Sequence, residues 1–166
     1  MTRLLTLCPI FVAFLFVTTQ TTYAQFTAPA GAVSDIAMSV DGNDTNIYTG
    51  TGTENLTGGF RVNASGGFAE GGVTVDYVWT VTSAAGAGSF QISDLGTLSA
   101  AKEKNEHVDV TIPAITVQTA EPDYYELKIE INYTSEDMEG NPVPVSKTYK
   151  RYWYKTGTTP PANVDP

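Results

Sequence analysis

Asp41-Gly42-Asn43-Asp44-Thr45-Asn46 sets oxygen-bearing side chains at alternating positions, the pattern from which loops build sites for hard cations such as calcium. The run departs from the EF-hand loop: Asn46 stands where that loop needs Gly, and no Glu follows at the twelfth position. Two readings follow. Asp41, Asn43 and Asp44 could ligate calcium with help from loop carbonyls and from distant acids such as Asp94 or Asp123, or the run is an Asx-rich turn, in which short polar side chains bond the local backbone.

A second concentration of chemistry lies in Ser146–Lys155 (S-K-T-Y-K-R-Y-W-Y-K). Tyr149, Arg151, Tyr152, Trp153 and Tyr154 place aromatics on both faces of an extended chain with cations between them. Exposed flat rings beside Lys and Arg stack sugars or engage a partner protein. The alternative is that Tyr149 or Trp153 closes the core while the cations keep an edge from self-pairing.

Catalytic constellations are not assembled. His107 is the single histidine and is flanked by Glu106 and Asp109, without a nucleophile or metal-ligand spacing to accompany it. Glu126, Glu130 and Asp76 could supply a carboxylate pair for glycoside hydrolysis, but each falls on the polar side of a strand. No catalytic residue and no cofactor are assigned, calcium aside, and an enzyme is not expected. Asn43, Asn55, Asn63 and Asn132 head Asn-x-Ser/Thr triplets, and Asn63 and Asn132 lie on the polar sides of their strands, where a glycan could be carried; in a bacterial chain the triplets are fortuitous.

The elements that would position these residues follow an N-terminal address. Met1-Thr2-Arg3 precedes an apolar run from Leu4 to Val17, too short to span a bilayer comfortably, then polar residues and Thr22-Tyr23-Ala24. This is the pattern of a signal peptide over 1–24, cleaved after Ala24, which implies a secreted or cell-surface protein, or a periplasmic one, without membrane insertion afterwards. The one cysteine, Cys8, lies inside that run, so the remaining chain has no disulfides and no thiolate chemistry. It is the size of one domain and must be held by its own core. Lys and Arg number 9 against 18 Asp and Glu, a net charge of −9 that becomes more negative once Arg3 is removed. A scattered acidic surface repels phosphate backbones, so nucleic acid is excluded as a partner.

Residues 25–33 form a leader, 34–155 the domain, and 156–166, rich in Pro and without apolar periodicity, a disordered tail or a linker cut short. Alternating runs predict strands at Ile36–Val40, Phe60–Ala64, Val73–Thr82, Val108–Ile112, Tyr124–Thr134 and Val143–Lys155, with a short one from Phe90 and an edge strand near Ile47 and Tyr48. Leu95 and Leu98 fall in a loose crossing, Ser99–Glu106 forms a helical turn or polar loop, and Pro113 ends its strand, after which Ile115 and Val117 could resume pairing. About seven short strands without an amphipathic helix predict a sandwich of two antiparallel sheets.

The Tyr77-x-Trp79-x-Val81 strand, a strand pair near Gly88 and Gly96, and Pro122-Asp123-Tyr124-Tyr125-x-Leu127-x-Ile129-x-Ile131 together resemble bacterial immunoglobulin-like and PKD-like extracellular modules. The resemblance implies an Ig-like fold in which the Trp-bearing strand packs against the Tyr-bearing strand across the core, with Trp79 inside it. It also implies a structural or adhesion role toward a protein or extracellular polysaccharide; the alternative is a carbohydrate- or calcium-binding module. N-terminal sequencing of the exported protein is expected to start at Gln25; a retained Met1 sinks the signal assignment.

Overall fold

Strict alternation from Tyr125 to Tyr133 leaves one side of an extended chain apolar and the other polar, so the segment is stable only where one face is buried. The computed structural model describes residues 31–50, 52–64, 73–84, 90–100, 106–117 and 122–166. It meets that demand with eight strands: β1 (Ala32–Val40), β2 (Ile47–Tyr48), β3 (Asn55–Ala64), β4 (Val73–Ser83), β5 (Gln91–Ala100), β6 (Glu106–Thr116), β7 (Tyr124–Glu136) and β8 (Pro142–Lys155). The signal segment 1–24, most of the leader, the turns at 66–67 and 70–72, most of the 84–88 turn, and 101–105 of the suggested helical turn lie outside the described residues.

The strands form two sheets, β1-β3-β6 and β2-β8-β7-β4-β5. All pairings are antiparallel except β2 with β8, which is parallel. Both sheets contribute to one core: Phe60, Val62, Ile112 and Ile115 from the smaller, Trp79, Val81, Leu127, Ile129 and Ile131 from the larger. Full burial of each such side chain contributes about 1.5–3 kcal/mol.

Trp79 is buried as expected, but its strand does not face the Tyr-bearing strand across the core. β4 and β7 are hydrogen-bonded neighbours, with Trp79 directly opposite Ile129 on the same face. Periodicity reports which side of a strand is apolar and is silent about which strand lies beside it.

Two further expectations are corrected. The loose crossing at Leu95 and Leu98 is a continuous strand, β5, paired with β4 residue for residue from Gln91 to Ala100. Its polar residues are tolerated because it is an outer strand. Pro113 interrupts β6 without ending it: the ladder slips between Leu56 and Gly58, so Pro113 and Ala114 form a bulge, and pairing resumes at Ile115, one of the two residues expected to resume it. β6 is itself an outer strand, where a missing donor is tolerated.

Local chemistry fixes the turns. Asp41 (φ 49°) and Gly42 (φ 76°) both lie in the left-handed region, and Val40 and Asn43 exchange backbone hydrogen bonds of 3.0 and 2.9 Å across them. This is a two-residue turn of the I′ kind, which Asp-Gly favours. The β7–β8 connection closes on Asp137, whose Oδ1 accepts from the N–H groups of Glu139 and Asn141, with Gly140 at φ 83°. These bonds hold the Asp137 carboxyl below its usual pKa, the Asn141 side chain contributing most.

The last segment departs from a disordered tail. Thr158 Oγ1 donates to the Asp123 carbonyl beside the start of β7, and Val164 then exchanges backbone hydrogen bonds with Lys150 on the opposite edge of β8. The chain between them therefore crosses β8.

Candidate functional site

The residues of Ser146–Lys155 are brought together, but not as a surface. β8 turns Tyr149, Arg151 and Trp153 to the same side as Ile129, Leu127 and Tyr125, against which they pair. Trp153 is fully buried and Tyr149 nearly so, with the Tyr149 hydroxyl accepting from the Val33 N–H at 3.2 Å. The Trp153 ring lies against Gly58, where an added Cβ would stand 3.0 Å from Cζ2. Its Nε1–H is buried without a hydrogen-bond partner, a desolvation cost of about 1–3 kcal/mol that the packing of the indole must offset. Arg151 escapes this face sideways: Nη1 donates to the Lys150 and Val164 carbonyls, and Nη2 meets Asp165 at 2.7 Å.

On the outer side of the same sheet, Tyr152 is only 3% exposed. Its ring meets Tyr124 edge-on with centroids 5.5 Å apart, and its hydroxyl donates to Glu126 Oε2 at 3.1 Å, the oxygen that also takes Lys150 Nζ at 3.1 Å. Burial, and next the Glu126 carboxylate, push Tyr152 up to about 12. Tyr154, opposite Tyr124, is half-buried. Of the five residues proposed as a partner surface, three are therefore buried, and the alternation fails because both faces of β8 are covered.

The calcium candidates are likewise engaged. Asp41 Oδ1 accepts from the Asn55 N–H at 2.8 Å, and Asn43 Nδ2 donates to the Val40 carbonyl, so both side chains serve the turn. Asp44 borders a shallow groove of about 420 Å³ on the outside of the smaller sheet, with Ser39, Thr57, Gly58, Gly59 and Thr111. Among the described residues, no group of three His, Cys, Asp or Glu is placed to hold a metal ion.

The remaining polar candidates are dispersed. His107 is exposed on β6, opposite Asn63. Asp109 instead pairs with Arg61 Nε at 2.8 Å, and Arg61 also reaches Asp35 at 3.3 Å; the Arg61 hydrogen bond holds the Asp109 carboxyl below its usual range. Glu130 pairs with Lys128 at 2.9 Å, and Asp76 accepts from Thr97 Oγ1 at 2.6 Å. Asn63 Nδ2 donates to the Ala32 carbonyl and Ser34 Oγ, binding β3 to β1, whereas Asn132 is exposed.

Sequence reasoning did not single out Glu54. It is buried, and its carboxylate accepts from Thr49 N–H and Oγ1 and from Gly50 N–H at 2.7–2.9 Å, shaping the β2–β3 loop. Nor did it find a cleft of about 420 Å³ between β5 and β6, lined by Trp79, Phe90, Ile92, Pro113 and Ile115, with Asp94 among its polar residues. No protein-family model matches the sequence, and no curated protein matches it either.

Trp153→Ala is expected to lower the unfolding free energy by about 3–5 kcal/mol in urea titrations, the signature of a core ring; a loss under about 1 kcal/mol would return it to the surface. For Tyr152 the folded pKa lies above the ordinary 10.0. The unfolded chain therefore ionises first, and the contribution present below pH 10 is lost as pH rises toward 12. Tyr152→Phe is expected to flatten the stability decline over that window, read by denaturant melts at stepped pH.

Proposed function

We propose that this chain is a secreted, non-catalytic immunoglobulin-like module whose role is structural or adhesive, contacting a protein or an extracellular polymer. The order β1-β3-β6 over β2-β8-β7-β4-β5 supports the Ig-like assignment, since four long strands, β8-β7-β4-β5, facing three others is an arrangement Ig-like sandwiches use, with the two-residue β2 added at the edge. The observation that carries the functional reading is how the chemistry-bearing side chains are used. Trp153, Tyr149 and Tyr152 are buried, Asp41 ties a turn, Arg61 and Arg151 are joined to carboxylates or carbonyls of neighbouring segments, and Glu126 holds the Lys150 ammonium and the Tyr152 hydroxyl. Groups so engaged hold a scaffold. In a protein whose reactive groups maintain the fold, what is offered outward is shape, strand edges and charge.

A carbohydrate-binding role is the second reading, favoured by the groove beside Asp44, where Ser39, Thr57 and Thr111 supply hydroxyls above a floor of Gly58 and Gly59. The Ser39 and Thr57 hydroxyls already bond each other at 2.5 Å, which weakens their offer to a sugar.

Thermal unfolding with and without millimolar calcium, together with a glycan array, separates these readings. The structural role expects an unchanged Tm and a blank array. A calcium-dependent rise of about 4 °C or more, or glycan binding lost in Thr111→Arg, transfers the assignment to a ligand-binding module.

A further inference from the structure

Outer strands invite self-pairing, and most of those here carry a device against it. β8 is met by β2 at Tyr154 and Lys155 and by Val164 at Lys150. Further along it, Pro142 and Pro144 occupy positions whose nitrogen points away from β7, a phase set by the Lys155 N–H donating to the Asp123 carbonyl. β1 shifts register between Ser34 and Ala37, with Asp35 at φ 52°, and β6 bulges at Pro113. β5 has neither bulge nor Pro, Lys or Arg, and among the described residues no strand pairs with its outer edge.

The phase of that edge is also fixed. Ser83 N–H donates to the Phe90 carbonyl across β4 and β5, so Gln91, Ser93, Leu95, Thr97 and Ser99 direct their peptide groups outward. The sequence around Leu95 is close to palindromic in character. Ser93 and Thr97 are hydroxyl residues one step out on the outer face, Ile92 and Leu98 are half-buried on the inner face, and Leu95 at the centre is 72% exposed.

We infer that β5 pairs antiparallel with β5 of a second copy of this chain, about a two-fold axis through Leu95, making one sheet continuous across two molecules. Rotation about an axis normal to the sheet keeps inner faces inner. It sets Leu95 opposite Leu95, Ser93 opposite Thr97 and Ile92 opposite Leu98. Each outward peptide group then finds a ladder partner, the exposed leucines cover one another, and each core gains an apolar neighbour. A slip of one residue would oppose inner-facing to outer-facing residues.

Asp94, the one charge on β5, is compatible with this register. It comes opposite Gly96 rather than its own copy, and the Tyr77 ring and hydroxyl stand where a Cβ at Gly96 would be, so the carboxylate approaches a hydroxyl donor. In the single molecule Asp94 Oδ1 accepts the Leu95 N–H at 2.8 Å. That bond must be exchanged on pairing, which makes the association modest and reversible.

The test is sedimentation velocity of the purified protein up to about 100 μM, with Leu95→Lys and Leu95→Pro beside it. Proline at 95 removes a donor facing away from β4, so the fold is retained while the intermolecular ladder is broken. Both variants are expected to weaken dimerisation about tenfold or more; if the proline variant misfolds by circular dichroism, the lysine variant decides. In a Cys8→Ser background, Leu95→Cys is expected to form a disulfide dimer rapidly, because directly opposed residues of this kind have Cα atoms about 5.5 Å apart. Thr97→Cys, facing residue 93, is expected to cross-link no faster than Met138→Cys at the exposed hairpin tip. A wild-type monomer throughout, or Leu95→Cys linking at the Met138→Cys rate, overturns the inference.

Discussion

The row Trp79–Ile129–Tyr149, running across β4, β7 and β8, is the contact on which the rest depends. β7 is hydrogen-bonded along both edges and apolar along one face, so its register must be held on both sides at once. A one-residue slip on either side would turn the buried set outward. Once that register is fixed, the inner surface of the larger sheet is defined, and the smaller sheet closes over it with Phe60, Val62, Ile112 and Ile115.

The smaller sheet has three strands against five, so it cannot cover everything beneath it. The uncovered margins are finished by other means. At β8 the chain end returns, with Val164 joining Lys150 and Asp165 neutralising Arg151. At β5 and β6 the two sheets part, leaving the cleft beside Trp79. The same shortage explains why Arg151, placed by register on the inner side, survives there: it lies near the margin and reaches carbonyls and a carboxylate around it.

Much of this was legible in the sequence because side-chain period and turn chemistry are local. The runs at Tyr125–Tyr133 and Val73–Val81 were readable from alternation, Ile47-Tyr48 was found as an edge strand, and the hairpin at Asp137–Asn141 announced itself by composition. What failed was non-local. Alternation could not say that β4 and β7 are neighbours in one sheet. It broke down in β8 because Tyr152 is covered on one face and Trp153 on the other. Asp41-Gly42-Asn43-Asp44 has the composition of both a cation loop and a tight turn, and only the φ values and the Asn55 hydrogen bond distinguish them. β5 was underestimated because an outer strand needs little hydrophobicity to form, its stability coming from the ladder with β4.

β2 is short, yet it runs parallel to β8, and the Tyr154 and Thr156 N–H groups donate across to the carbonyls of Asn46 and Tyr48. Because the two segments point the same way, a pull on Ile47 toward the start of the chain and on Lys155 toward its end moves them lengthwise past each other. The bonds then resist together as a shear clamp instead of opening one after another like a zip.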